Sequence, residues 1–130
     1  MSGERVMIVD DEDDLLYCLS MVLEGRGYHV LGCGSGTEAI ERAIVEKPAI
    51  IFADVLMPRM DGWELCRRLK EDARCRNIPV IMITASPLKE YHDKALAAGA
   101  EALVMKPFDL DHVAEMIERY ARREVTSLLS

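Results

Sequence analysis

No apolar run in this chain approaches the roughly eighteen residues that a membrane-spanning helix requires, and the stretch from Met1 to Asp14 reaches an acidic cluster with no apolar segment before it. The expected compartment is the cytoplasm. Positive charge is in deficit: 16 Lys and Arg against 23 Asp and Glu leave a formal net charge of -7. A surface of that sign repels phosphates, which argues against nonspecific association with nucleic acid or an anionic membrane, so any output on DNA would need another domain. Paired cysteines are missing as well. Cys18, Cys33, Cys66 and Cys75 lie far apart with no Cys-x-x-Cys spacing, which suggests neither a zinc knuckle nor a thioredoxin-like motif. They are expected to be reduced thiols, mostly filling the core. His29, His92 and His112 share no motif, so neither a histidine phosphoacceptor nor a histidine metal site is expected. No linker, repeat or low-complexity segment divides the chain. One domain over residues 1–124 and a short tail at 125–130 are expected.

What is present is a regular alternation. Hydrophobic residues make up 50% of the chain and charged ones 30%, a balance that suits a packed domain rather than a disordered one. Four short apolar runs, Val6 to Val9, Ala49 to Ala53, Val80 to Ile83 and Ala102 to Met105, lack polar alternation and read as strands covered on both faces. A weaker fifth, Tyr28 to Cys33, falls between the first two. The intervening segments carry helical stripes: Leu15, Leu16, Leu19, Val22 and Leu23; Ala39, Ile40, Ala43 and Ile44; Leu65 with Leu69; Leu88, Tyr91 and Ala95; Leu110, Val113, Ile117 and Tyr120. Gly25 and Gly27 stop the first helix, Asp61 can cap the third, Ser86-Pro87 opens the fourth, Gly99 ends it, and Asp109 can cap the last. Alternating strand and helix predicts an open α/β sheet.

Polar residues interrupt this pattern at one kind of place. Asp10 and Asp11 follow the first strand, Asp54 the third, Thr84 the fourth and Lys106 the fifth. The carboxyl ends of parallel strands share one edge, so residues scattered over the chain would line one cleft. Taken singly, each has an ordinary explanation. The run Asp10 to Asp14 suits a helix N-terminus, Asp54 a turn, Thr84 a strand and Lys106 the surface; their joint occurrence is the signal. Carboxylates gathered closely repel unless a cation compensates, and an all-oxygen set with few protein ligands suits Mg²⁺, which prefers to bind beside phosphate oxygens. A carboxylate can then attack phosphorus to give an acyl phosphate, with a hydroxyl and an ammonium meeting the equatorial oxygens.

Val9-Asp10-Asp11, Asp54 with Met57-Pro58-Arg59-Met60-Asp61-Gly62, Thr84-Ala85 and Lys106-Pro107-Phe108 resemble the motifs of response-regulator receiver domains, in order and spacing, from Arg5 to about Glu124. The resemblance is to single-domain, chemotaxis-regulator-like members of two-component signal transduction. It implies a doubly wound flavodoxin-like sandwich with a five-stranded parallel sheet of order 2-1-3-4-5. It makes Asp54 the phosphoacceptor, Asp11 a direct Mg²⁺ ligand, Asp10 a partner acting through water, and the backbone carbonyl of Leu56 a further ligand. Thr84 and Lys106 become the phosphate partners, and the Lys106-Pro107 bond is expected to be cis. The implied donor is a sensor histidine kinase or histidine phosphotransfer protein in a phosphorelay. The implied output is a change in the face formed by the fourth helix, fifth strand and fifth helix, which would bind a partner or pair with a second copy. Such a protein catalyses its own phosphorylation and slow dephosphorylation rather than turning over an external substrate.

One position departs from the common pattern: many receivers carry Tyr or Phe three residues before the lysine, where this chain has Leu103. Leu56 and Ser86 occupy positions that resemble those tuning phosphoryl lifetime. Three rival readings remain at this stage: a phosphohydrolase working through an aspartyl phosphate, a pseudo-receiver that binds partners without phosphorylation, and a flavodoxin-like cofactor module. The first usually has Asp-x-Asp after the first strand, where Asp10 and Asp11 are adjacent. The second needs no complete acceptor set. The third lacks its glycine-rich phosphate loop after the first strand. Trp63 is expected to serve local packing.

Overall fold

The structure, a computed structural model, describes residues 3–106 and 109–121. Five strands, β1 (Arg5–Val9), β2 (His29–Cys33), β3 (Ile50–Asp54), β4 (Val80–Thr84) and β5 (Ala102–Met105), alternate with five helices. These are α1 (Asp13–Gly25), α2 (Gly36–Glu46), α3 (Gly62–Glu71), α4 (Lys89–Ala97) and α5 (Leu110–Met116), the last continuing as a π-helical turn over Ile117–Ala121. All four strand pairings are parallel, in the order β2-β1-β3-β4-β5.

The apolar runs form strands because they are covered on both sides, and every residue of β3 and β4 is buried. Successive side chains point to opposite faces, so the sheet divides the core in two. Met7, Val9, Ile51, Ala53, Val80 and Met82 pack with residues of α2, α3 and α4. Val6, Ile8, Ile50, Phe52, Ile81, Ile83 and Val104 pack with residues of α1 and α5. Full burial of a side chain such as Phe52 or Ile81 contributes about 1.5–3 kcal/mol before entropy is counted.

Helix starts follow their caps. The carboxylate of Asp61 accepts the Glu64 N–H, that of Asp109 the Asp111 N–H, and the Ser35 hydroxyl the Glu38 N–H; each is worth about 1 kcal/mol. The fourth helix differs from the sequence expectation. It begins at Lys89 rather than at Ser86-Pro87, and Leu88 is a half-exposed N-cap residue rather than part of the buried stripe. The Thr84 hydroxyl accepts the Ser86 N–H and the Ser86 hydroxyl accepts the Leu88 N–H, so two successive side-chain turns hold residues 85–88 as a loop.

Cys33, Cys66 and Cys75 are buried and Cys18 is exposed, all as free thiols. Trp63 packs locally, edge-on to Tyr91 at 5.1 Å between ring centroids, with the Lys94 ammonium 4.5 Å from its ring. No helix among the described residues is long and apolar enough to cross a membrane. The expected cis bond at Lys106-Pro107 and the expected tail at 125–130 lie outside the described residues.

Candidate functional site

The strand order reverses between β1 and β3, which are neighbours in the sheet and whose crossovers depart to opposite faces. Such a point leaves a crevice at the carboxyl ends of the strands. Val9 pairs with Ala53, so the next residues out, Asp10 and Asp54, stand side by side. On the other flank Asp54 pairs with Ile83 and Thr84 with Met105, which brings Thr84 and Lys106 to the same edge. Lys106 is held there by its N–H, which donates to the Thr84 carbonyl at 2.7 Å.

Asp54 ends β3 and is nearly buried. One carboxylate oxygen accepts the Leu56 N–H at 3.0 Å, and the other accepts the Lys106 ammonium at 2.9 Å. The loop beyond it is drawn in tightly. Gly62 donates its N–H to the Val55 carbonyl, and a Cβ at this position would run into the Asp54 carbonyl oxygen, so only glycine lets α3 start so close to the strand. Within this loop Arg59 has φ 68°, a left-handed conformation bracketed by a Met60 N–H to Pro58 carbonyl bond. Strain of that kind clusters at functional sites.

Asp10 is 1% exposed. Its Oδ1 accepts the Glu12 N–H at 2.8 Å, while among the described residues its Oδ2 is buried without a hydrogen bond and has the Lys106 ammonium at 3.6 Å. Burial, reinforced by the charge of Asp54, pushes the Asp10 carboxyl from its ordinary 3.8 up to about 6, against the opposing pull of the Glu12 N–H and Lys106. Burial works against the charge on Lys106 as well. The hydrogen bond and charge of Asp54, with Asp10 and Glu12 behind it, outweigh that and hold the lysine above its usual range.

Three carboxylates therefore converge on one ammonium: oxygens of Asp10, Glu12 and Asp54 all lie within 4.8 Å of one another. The surplus of negative charge, the all-oxygen donor set and the leftover buried oxygen of Asp10 fit a hard divalent cation. Asp11 is exposed and outside this trio, whereas Glu12, one of the run of acidic residues that suits a helix start, is inside it. Its only sequence signal is a carboxylate two positions after Asp10. Thr84 is buried, and its hydroxyl oxygen accepts the Ser86 N–H, which leaves the hydroxyl hydrogen to donate elsewhere. Leu56 is exposed at the rim, and Leu103 is partly buried against the cluster on the α2, α3 and α4 side.

The sequence matches the response regulator receiver domain over residues 6–118. The chain belongs to the response-regulator receiver family. It is 33% identical over 117 residues to the polar-differentiation response regulator DivK of Brucella ovis, covering 90% of this chain and 95% of that protein. It is 34% identical over 123 residues to the alkaline phosphatase synthesis transcriptional regulatory protein PhoP of Bacillus subtilis, covering 93% of this chain but 50% of that one. The receiver thus spans about half the length of the Bacillus regulator. Among solved structures, chemotaxis protein CheY4 of Vibrio cholerae superposes with a TM-score of 0.86 at 27% identity, covering 92% of this chain and 99% of that one. The sheet order and five surrounding helices are those of the CheY-like flavodoxin fold, and receivers of this kind are signalling modules of two-component systems.

Proposed function

We propose that this receiver accepts a phosphoryl group on Asp54 from the phosphohistidine of a sensor kinase or phosphotransfer protein, and signals through the surface of α4, β5 and α5. The observation that carries the reading is the Asp54 carboxylate itself, fixed at both oxygens by the Leu56 N–H and the Lys106 ammonium beside a surplus of acidic charge. Asp10, Asp11, Asp54 and the backbone carbonyl of Leu56 would hold Mg²⁺, with Asp10 acting through water. The ion supplies neutralisation of charge that builds on the phosphoryl oxygens.

The chain's own residues do the rest by position. An Asp54 oxygen attacks phosphorus while the imidazole nitrogen departs with its electron pair. Lys106, already charged and aimed at Asp54, meets one phosphoryl oxygen, and the Thr84 hydroxyl donates to another. Drawing Thr84 inward pulls on the turns at Ser86 and Leu88 that precede α4. With Leu103 in place of an aromatic ring, the response rests on movement of this loop. Leu88 just before α4, Leu96 on α4 and Met105 on β5 are large apolar side chains about half exposed, suited to a partner or to a second copy once the face changes.

Acetyl phosphate with Mg²⁺ should add one phosphoryl group by intact mass, and Asp54→Asn should remove the adduct. A full adduct on the variant would sink the assignment. Amide exchange with beryllofluoride should change over Leu88 to Ala98; changes restricted to the pocket would rule out this output face.

A further inference from the structure

Glu12 is the N-cap residue of α1, a position where the shorter side chains of Asp, Asn, Ser and Thr accept an N–H of the first helical turn. It makes no such bond. Its carboxylate instead lies 3.9 Å from the Lys106 ammonium, with the side chain 67% exposed, at the solvent side of a pocket whose other two carboxylates are buried. The bond from its N–H to Asp10 Oδ1 fixes its backbone over that pocket.

A donor approaching Asp54 from solvent therefore meets, beside the Lys106 ammonium, a negative charge that contributes no ligand to the metal in the reading above. We propose that Glu12 is a specificity-determining residue that filters phosphoryl donors by their charge, disfavouring more anionic donors at the mouth of the pocket. The inference rests on Asp54 being the phosphoacceptor. Glu12 acts on approach and takes no part in bond making.

Two small donors separate charge from chemistry. Acetyl phosphate is a dianion at neutral pH; an Asp54 oxygen bonds to phosphorus, the bond from phosphorus to the acetate oxygen breaks, and acetate leaves with the electron pair. Phosphoramidate carries one net negative charge; the same oxygen bonds to phosphorus, the phosphorus–nitrogen bond breaks, and ammonia leaves from a nitrogen already protonated. One unit charge about 5 Å from another, largely in water, changes a rate by roughly threefold.

The test measures the rate of the phosphoryl adduct by intact mass with each donor at matched Mg²⁺ and low ionic strength. The rate ratio of acetyl phosphate to phosphoramidate should rise by roughly threefold in Glu12→Gln and further in Glu12→Lys, stay close to the parent in Glu12→Asp, and converge on the parent value as salt is added. An unchanged ratio in Glu12→Gln and Glu12→Lys, including the case where both donors speed or slow together, overturns the charge filter while leaving Asp54 as acceptor. A parent protein that takes up phosphoryl from neither donor overturns the acceptor reading and the filter with it.

Discussion

At the amino-terminal edge of the sheet a lysine and a glutamate meet with all their polar atoms engaged, whereas at the carboxyl-terminal edge a lysine meets three carboxylates and one oxygen is left over. The first group ties α3 to the starts of β4 and β5. The Lys70 ammonium donates to Glu101 at 3.2 Å and to the Ile78 and Arg76 carbonyls at 2.8 and 3.3 Å, while the other Glu101 oxygen accepts the Val80 N–H at 2.8 Å. The second group is Lys106 with Asp54, Asp10 and Glu12. Burial does not separate them: side-chain exposure is 17% and 20% for Lys70 and Glu101, against 24% and 10% for Lys106 and Asp54. What separates them is balance. One pair is complete within the chain and holds the fold; the other keeps a surplus of negative charge, which under the proposed function a cation and an incoming phosphoryl group would complete.

The comparison predicts opposite signs for removing a carboxylate. Glu101→Ala strips the Val80 N–H and the Lys70 ammonium of partners and should cost about 2–3 kcal/mol in denaturant unfolding. A neutral result would show that the amino-terminal edge is not structurally coupled. Asp10→Asn keeps an oxygen for the Glu12 N–H and removes a buried surplus charge, so it should stabilise the protein without divalent cations by on the order of 1–2 kcal/mol at neutral pH. The pH dependence has a definite sign. Asp10 holds its proton up to about 6 when folded, against 3.8 ordinarily, so the folded state binds more protons between those values. Stability without divalent cations should therefore be greatest below about pH 4 with respect to this group and fall as pH rises through about 6. Asp10→Asn should flatten that part of the profile; an unchanged slope would mean that Asp10 is not the group responsible.

The smallest effect is that of the ion. Mg²⁺ at about five times its Kd should add about 1 kcal/mol by mass action, read as a rise in Tm, and Asp11→Ala should lose most of it. Equal gains in variant and parent would place the ion elsewhere and return weight to Glu12, the carboxylate that lies within the trio.

These two edges were not equally legible in the sequence. The strands could be read because a segment buried on both faces must be apolar throughout, as in Ile50 to Ala53 and Val80 to Ile83. Asp54 and Thr84 stood out because they end such runs; in the structure they are the last residues of β3 and β4. Asp61 and Asp109 announced their helices through short-range caps. The start of α4 was misplaced because Ser86-Pro87 is an ordinary helix opening in sequence, and only the hydroxyl turns through Thr84 and Ser86 show that residues 85–88 remain a loop. The Lys70–Glu101 pair spans 31 positions, and neither residue carries a motif. Glu12 was hidden among five consecutive acidic residues, and its distinction arises where the chain bends at Asp11 just before α1 begins.

The most direct test of the account is to trap the phosphorylated state chemically. Borohydride reduces an aspartyl phosphate to homoserine, so treatment of the protein after incubation with acetyl phosphate and Mg²⁺, followed by peptide mass mapping, reads the acceptor position. Homoserine is expected at position 54 alone. Homoserine at position 10 or 11, or a phosphoryl adduct that leaves no homoserine anywhere, would contradict it.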